Sequence, residues 1–247
     1  MTTERLDKVL SHHGFGTRKD TRRLIRSGAV TVDGKPCFVP DTHIPIETAQ
    51  VFVDGELLQL RRHIYLMMNK PAGVVCSTKD GLHKTVFDLL KDEHLQVFLG
   101  GSLHLVGRLD IDTEGLLLLT TDGTLTHRLT SPRTNIRKTY FVRLEQYVPE
   151  EARPLITRRF ADGIHIEPEG DDGEWDCKAA ELDWLEGDCC LLKITEGRYH
   201  QVKRMIAAAG NKVIYLRRDA IGQLQLDSEL RCGEYRNLTS DELDLLV

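Results

Sequence analysis

The sequence predicts an α+β protein with a small N-terminal domain, residues 1–60, and a larger C-terminal domain, residues 61–247. Two observations lead to this prediction. The first sixty residues combine helical spacing with two strand–turn–strand patterns, and from Ile64 onward short strands and helices alternate irregularly. The polar stretch "QLRRH" (59–63) separates two apolar runs and is the expected linker. A chain of 247 residues readily accommodates this division.

In the N-terminal domain, Leu6, Val9 and Leu10 have helical spacing and predict a first helix. Thr17 and Asp20 resemble a capping box and predict the start of a second. The stretches "VTVDGKP" and "VFVDGELL" each predict two strands joined by an Asp-Gly turn. The second helix carries five basic side chains: Arg18, Lys19, Arg22, Arg23 and Arg26.

The C-terminal domain contains several short elements with clear patterns. The expected strands are "IYLMMNKP", "GVVCST", "LHLVG", "GLLLLTT" and "KTYFVRLE", with a turn at Asp122-Gly123. The expected helices are "TVFDLL", "YHQVKRMIAAAGN" and, after a capping box of Thr239 and Glu242, "TSDELDLL".

Composition excludes several classes of protein. The first ten residues already include charged side chains and lack the apolar segment of a signal peptide. No apolar run approaches the length of a membrane span. The six cysteines form no C-x-x-C pair. This pattern argues against a disulfide framework or a zinc knuckle and predicts a reduced, cytoplasmic protein without a membrane partner.

The net charge of −5 hides a strong segregation of charge. Residues 18–26 carry five basic groups and one acid, residues 128–143 carry five and none, and residues 197–218 carry six and none. Acids are concentrated elsewhere, as in residues 167–188. Solvated helix or strand faces would explain one such run. Three of them favour a site for a polyanion, with nucleic acid as the leading candidate.

The stretch "GRLDIDTEGLLLLTTDG" (107–123) has acids at alternate positions before a leucine run. Read from Asp110 it begins like a calcium loop, but its ninth and twelfth positions are Leu118 and Thr121, so we expect no metal site. Asp112 is expected to tie down a turn and Glu114 to lie on a solvated rim. Asp110 follows an apolar strand, and there a carboxylate can act as a nucleophile or base if a cation keeps it ionised.

This stretch resembles the signature of the pseudouridine synthases that modify ribosomal RNA. The segments "NKPAGVVCS", "RKTYFVRL" and "EGRYHQVKRMIAAAGN" resemble the other motifs of that family, in the same order. The N-terminal domain resembles the αL RNA-binding domain fused to these enzymes, so we expect the five basic side chains of its second helix to bind RNA. The form "GRYHQVKRM" and the C-terminal segment are most similar to the small-subunit (16S) type. The resemblance implies a mixed, mainly antiparallel catalytic sheet with flanking helices.

The resemblance also implies roles for particular residues. Asp110 would be the catalytic aspartate, which acts without metal or cofactor. Tyr140 would stack on the flipped base and take part in proton transfer, and Lys203 would be the ion-pair partner of the aspartate. Arg108 would contact the target nucleotide or its phosphate, and Leu216 would lie under the base.

Three further residues have less specific assignments. Arg204 and Lys70 are substrate-binding candidates, although Lys70 has a structural alternative, and His200 is expected to be a structural, hydrogen-bonded histidine. The predicted partner is 16S ribosomal RNA or a pre-ribosomal particle, and the predicted state is a monomer. Two other functions stay open: a synthase for a large-subunit uridine, and an RNA-binding protein that has lost activity.

Overall fold

The computed structural model of the chain describes residues 3–58, 60, 63–99, 103–168 and 173–246. The predicted linker at 59–63 lies mostly outside them. The described residues form an N-terminal α+β unit and a larger sheet unit, each around its own apolar core. In the part of the chain described, no helix has the length and apolar character needed to span a bilayer.

The N-terminal unit packs two helices against small antiparallel sheets. Both Asp-Gly turns are confirmed: the two residues of each have positive φ, for example 50° at Asp33 and 77° at Gly34, as a type I′ hairpin requires. The capping box of Thr17 and Asp20 is also confirmed. The elements of the N-terminal unit are β1 (Thr3–Arg5), α1 (Leu6–His12), α2 (Arg18–Arg26), β2 (Val30–Val32), β3 (Lys35–Pro36), β4 (His43–Pro45), β5 (Val51–Val53) and β6 (Glu56–Leu58).

A buried carboxylate joins the two helices of this unit. The side chain of Asp7 is fully buried and accepts hydrogen bonds from Arg5 Nε at 3.0 Å and Arg22 Nε at 3.0 Å. The hydroxyl of Thr21, also buried, donates to the Asp7 carbonyl at 3.0 Å. Burial opposes ionisation of Asp7, but the hydrogen bonds from Arg5 and Arg22 outweigh it and hold its pKa below the usual range. The start of α1 is therefore tied to β1 and to the middle of α2.

The larger unit is built on a mixed, mainly antiparallel sheet, as the sequence predicts. Its strands are β7 (Tyr65–Lys70), β8 (His104–Val106), β9 (Glu114–Thr120), β10 (Lys138–Leu144), β13 (Glu181–Trp184), β14 (Cys189–Ile194), β15 (Val213–Ile221), β16 (Leu224–Gln225) and β17 (Tyr235–Asn237), while β11 (His165–Ile166) and β12 (Trp175–Asp176) form a separate pair. The strand order is β13-β14-β10-β15-β9-β7-β17, with β8 on β9 and β16 on β15, and the one parallel pair of this sheet in the described residues is β9 with β15.

Helices cover both faces of this sheet. A 3₁₀ helix at Val86–Leu89 corresponds to the predicted "TVFDLL" helix, and the capping box of Thr239 and Glu242 starts the last helix as predicted. The α-helices are α3 (Asp92–Leu99), α4 (Gly123–Thr130), α5 (Arg153–Asp162), α6 (Gln201–Ala208) and α7 (Ser240–Asp244).

Strand β9 explains the leucine run. Leu117 and Leu119 belong to the core on one face of the sheet, and Leu116 and Leu118 belong to the core on the other. Alternate side chains of a strand point to opposite faces, so a strand covered on both sides is apolar throughout. Gly115, at the start of the run, has φ of 101°, and a Cβ there would lie 2.4 Å from the Arg218 carbonyl oxygen. Only glycine fits this crossing of β9 and β15.

Two expectations in this unit are wrong. "GVVCST" is not a strand: its Val75 amide bonds the Lys84 carbonyl at 2.9 Å, within the loop that follows, and it forms only an isolated bridge to Thr85. The predicted turn at Asp122-Gly123 is instead the start of helix α4. The Asp122 carboxylate accepts from the amides of Thr124 and Leu125 at 2.9 and 3.1 Å and caps α4, because two free amides at a helix start attract such a side chain.

We expect Asp7→Asn to lower the free energy of unfolding of the N-terminal unit by about 1–3 kcal/mol, because charge-assisted hydrogen bonds to both arginines are lost. Since the pKa of Asp7 is lowered by folding, its contribution is present above about pH 4 and is lost as pH falls through the folded-state value. Urea unfolding of the full chain, with hydrogen exchange of residues 5–53, measures both effects. The exposed Asp41→Asn variant is the control, and equal losses in both variants would contradict the assignment.

Candidate active site

The loop between β8 and β9 carries Asp110 at the edge of a pocket. The pocket has a volume of about 140 Å³. It brings together Asp110, Arg108, Tyr140 and Leu216, four residues that the sequence predicted for the site, and His200, which was expected to be structural. Also lining it are residues that the sequence had not singled out: Gly107, Leu109, Thr113, Thr130, Lys138, Ile194, Gly197, Arg198, Gln201, Val202 and Arg218.

Two neighbouring strands form the apolar side of this pocket. Tyr140 on β10 pairs with Arg218 on β15, and Val142 pairs with Leu216. Residues two apart on a strand share a face, so Tyr140, Leu216 and Arg218 all point the same way. Tyr140 and Leu216 are only 7% and 5% exposed. A flat aromatic ring and an aliphatic side chain therefore line one pocket with the Asp110 carboxylate.

Lys203 on α6 links two of the acids in the loop. Its Nζ lies 3.2 Å from Asp110 Oδ2 and 2.5 Å from Asp112 Oδ1. Burial opposes the charge on Lys203, but the hydrogen bond to Asp112 and the charge of Asp110 outweigh it and raise its pKa above the usual value. Burial likewise opposes ionisation of Asp112, and the hydrogen bond and charge of Lys203 keep its pKa low. The ammonium is thus held in its charged form beside Asp110.

This geometry changes the expected role of Asp112. The sequence predicted an aspartate that bonds nearby backbone; the side chain instead forms an ion pair with Lys203, a residue ninety-one positions away along the chain. Glu114 is not simply on a solvated rim either, since it accepts a hydrogen bond from the Tyr215 hydroxyl at 2.8 Å. The first half of a calcium loop would need these three carboxylates to converge; two of them face an ammonium and the third a phenol.

Lys70 at the end of β7 is fully buried. Its Nζ donates to the carbonyl oxygens of Asp110, Thr113 and Pro71 at 2.9, 2.8 and 3.0 Å, and lies 3.4 Å from that of Ile111. Burial lowers the pKa of Lys70, although the negative charges of nearby acidic groups act to raise it. Since the three ammonium donors are occupied by backbone, these contacts favour the structural alternative for Lys70, and its substrate-binding role stays a prediction. It fixes the backbone of the loop that carries Asp110.

Arg204 was expected at the substrate, but its guanidinium lies elsewhere. It is 7% exposed, stands 4.2 Å above the ring of Trp175 and donates to the Glu167 carbonyl at 2.7 Å. Successive residues of a helix point about 100° apart, so Lys203 faces the loop that carries Asp110 while Arg204 packs on the β11–β12 pair. Arg204 does not line the pocket, and its substrate-binding role stays a prediction, whereas Arg108 is exposed at the pocket.

His200 lies closer to the chemistry than the sequence indicated. Its Nε2 is 3.7 Å from Asp110 Oδ1. The residue has φ of 49° and ψ of 25°, the left-handed conformation, immediately before α6. Such a conformation is uncommon for a non-glycine residue and concentrates at functional sites. No sequence pattern distinguishes this histidine from an ordinary one.

The predicted RNA-binding residues of α2 are all exposed. Arg22 differs from the other four because it also pairs with the buried Asp7 at 3.0 Å. Arg18, Lys19, Arg23 and Arg26 thus form a solvent-facing basic surface, and Arg22 has in addition a structural contact.

Among the residues that the structure describes, no three histidine, cysteine or acidic side chains are grouped so that they could hold a metal ion.

Known proteins similar to this chain share both of its units. The sequence model of the family described as RNA pseudouridylate synthase matches residues 64–208, and that of the S4 domain matches residues 4–43. The chain belongs to the RNA pseudouridylate synthase family. It is therefore related to isomerases, and its N-terminal unit is an RNA-binding S4 domain, which confirms the resemblances drawn from the sequence motifs.

Individual relatives match over nearly the whole chain. An uncharacterised RNA pseudouridine synthase of Bacillus subtilis is 44% identical, with 98% of each chain covered. The ribosomal small subunit pseudouridine synthase A of Escherichia coli is 41% identical over 98% of this chain and 100% of that one. A solved pseudouridylate synthase structure is 40% identical, covers 98% of this chain and 99% of its own, and superimposes with a TM-score of 0.66. Fold and family thus agree.

We expect Lys70→Met to lower the free energy of unfolding of this synthase by about 3–5 kcal/mol, because buried carbonyl groups lose their donor. Activity should fall through loss of the loop conformation. Urea unfolding and hydrogen exchange of residues 107–113 measure the effect, with the exposed Lys84→Met as control. A stable variant whose only defect is a higher KM for RNA would contradict this and return Lys70 to the substrate.

Proposed function

We propose that the protein converts one specific uridine of 16S ribosomal RNA to pseudouridine. The observation that carries this proposal is the Asp110 carboxylate, 3.2 Å from the Lys203 ammonium, in one pocket with Tyr140 and Leu216. The relatives named small-subunit pseudouridine synthases, which match nearly the whole chain, support 16S RNA as the substrate.

In this proposal Asp110 is the catalytic residue. The bond between uracil N1 and ribose C1′ breaks, the base rotates, and a bond forms between C5 and C1′; C5 loses its proton and N1 gains one, so no oxidant or reductant is consumed. Asp110 starts the reaction by attacking the sugar or by abstracting a proton from it. The Lys203 ammonium, 3.2 Å from this carboxylate, supplies the opposite charge beside it in a partly closed pocket.

The other pocket residues would bind the base. The Tyr140 ring stacks on the flipped uracil and takes part in the final proton transfer, Leu216 supplies an apolar surface beneath it, and Arg108 at the rim contacts the nucleotide or its phosphate. Rotating a base out of its stack costs a few kcal/mol of free energy, and contacts between the basic surfaces and RNA phosphates offset that cost. We propose that no cofactor or metal takes part, because the isomerisation consumes no oxidant or reductant and the cation beside both loop aspartates is Lys203.

We propose that the chain divides into residues 1–60, which bind RNA, and residues 61–247, which catalyse the isomerisation. Separate apolar cores on the two sides of this boundary support the division. With 16S RNA or an assembling particle as substrate, we expect a monomer working in the cytoplasm. A large-subunit uridine would need the same pocket, so only the mapped product distinguishes that alternative. The intact set of Asp110, Tyr140 and Lys203 argues against a binding protein without activity.

The proposal is tested by mapping pseudouridines in 16S and 23S transcripts treated with purified protein. We expect one modified uridine in 16S RNA, and none after Asp110→Asn, which removes the reacting carboxylate and leaves RNA binding nearly intact. Asp112→Asn is the matched control: Lys203 keeps its pair with Asp110, so most activity should remain. A product confined to 23S RNA would contradict the substrate assignment, and turnover by Asp110→Asn would contradict the catalytic one.

A second test concerns the basic surface of α2. If Arg18, Arg23 and Arg26 each meet one phosphate, changing all three to Ala should weaken RNA binding. The slope of log affinity against log salt should become flatter by about 2–3 units, at roughly 0.9 per phosphate on a duplex. Arg22 is left intact because it holds Asp7. Single-turnover rate at saturating RNA should change little.

Fluorescence anisotropy between about 50 and 200 mM salt measures the affinity and its slope. Arg158→Ala, which removes one exposed charge from α5, is the control. Unchanged affinity and slope would mean that the α2 surface is merely solvated. Normal affinity with a collapsed saturating rate would mean that the domain positions the uridine rather than holding the RNA.

A further inference from the structure

Tyr199 and His200 form an aromatic stack at the mouth of the pocket. Their ring centroids are 3.7 Å apart and their planes differ by 22°. Side chains of consecutive residues in extended backbone point to opposite sides; here the left-handed conformation of His200, with φ of 49°, accompanies the overlap of the two rings. Because His200 Nε2 is 3.7 Å from Asp110 Oδ1, the stack reaches from solvent to the loop aspartate.

The outer member of this stack is unusually exposed for an aromatic residue. Tyr199 is 59% exposed, and with one face against His200 its other face is available to a ligand. Beside it lies a cleft of about 450 Å³, within the usual range for small-ligand sites, roughly 300–1,000 Å³. The described residues that line the cleft are Gly173, Glu174, Trp175, Arg198 and Tyr199.

The chemistry of the cleft favours a nucleobase over a phosphate. Arg198 lies 5.0 Å from the centroid of the Trp175 ring, so two aromatic rings and a planar cation line the cleft. The Glu174 carboxylate on the same cleft would repel a phosphate, whereas it can accept hydrogen bonds from a base amino group. Unpaired bases stack on such aromatic and guanidinium surfaces.

We propose that the exposed face of Tyr199 stacks on the unpaired base next to the target uridine. A uridine that rotates out of its stack leaves its neighbour with one uncovered face, and a ring at the mouth of the pocket can cover it. Tyr199 thereby becomes a positioning residue that holds the RNA strand beside Asp110. The inference rests on the proposed function for the position of the uridine, but it concerns a different residue and a different nucleotide.

The test compares the full-length wild type with Tyr199→Phe, which keeps the ring, and Tyr199→Leu, which keeps an apolar side chain without it. The RNA is the shortest ribosomal fragment that the wild type modifies, with 2-aminopurine replacing the nucleotide on either side of the uridine. We expect fluorescence quenching at one of these positions by wild type and Tyr199→Phe. Tyr199→Leu should lose it and bind about five- to 150-fold more weakly, the equivalent of about 1–3 kcal/mol per stacked base.

Tyr147→Leu is the matched control, because Tyr147 is 60% exposed and lines neither the pocket nor the cleft. Quenching and affinity of Tyr199→Leu equal to wild type would overturn the proposal. A lower saturating rate with unchanged affinity and quenching would overturn it too, since Tyr199 would then only support His200.

Failure of the proposed function gives a different result. If the wild type forms no pseudouridine in either ribosomal RNA, that function is wrong. The RNA fragment that the wild type binds most tightly then replaces the substrate, with 2-aminopurine at each unpaired position in turn. Comparison of the fluorescence quenching by Tyr199→Phe and Tyr199→Leu then decides whether Tyr199 stacks on a base.

Discussion

The buried ammonium of Lys70 determines the geometry of the candidate active site. It binds the carbonyl oxygens of Asp110 and of Thr113, three residues later in the loop, at 2.9 and 2.8 Å. A buried charge is stable only when it is well solvated by partners, so this contact forces the loop into one conformation. The loop backbone is bound by Lys70 and the Asp110 side chain by Lys203. A carboxylate held in this way needs little rearrangement before it reacts.

The N-terminal unit uses the same principle with the opposite charge. Asp7 is fully buried and its two arginine partners are partly exposed. A domain of this size buries a small core, and a charged contact between β1, α1 and α2 adds to its specificity. Because Arg22 lies on the basic face of α2 and also contacts Asp7, the RNA-binding surface is anchored directly in the folded core.

Local sequence signals predicted the secondary structure well. Both Asp-Gly hairpins and the capping boxes at Thr17 and Thr239 depend on neighbours in sequence, and all are present. The gathering of Asp110, Tyr140 and Leu216 in one pocket followed from family motifs, and their catalytic and substrate-binding roles stay predictions. Contacts between distant segments were missed. The Asp112–Lys203 pair depends on how α6 packs against the loop, and the direction of Arg204 depends on the phase of that helix relative to Trp175, which residue types alone do not determine.

Gly115 has a consequence for the tolerance of the chain to insertions and deletions. In most strands a one-residue slip moves apolar side chains into solvent, and this penalty defines the alignment. The four leucines of β9 are buried on both faces, so a slip would exchange one leucine for another at little cost in burial. Gly115, opposite both Lys70 and Arg218, is the position at which any side chain collides with backbone. The alignment of the strand, and with it the distance of Asp110 from the sheet, is therefore specified by a missing side chain. A change in the length of the loop before Gly115 should be tolerated far less than the replacement of a leucine by another aliphatic residue.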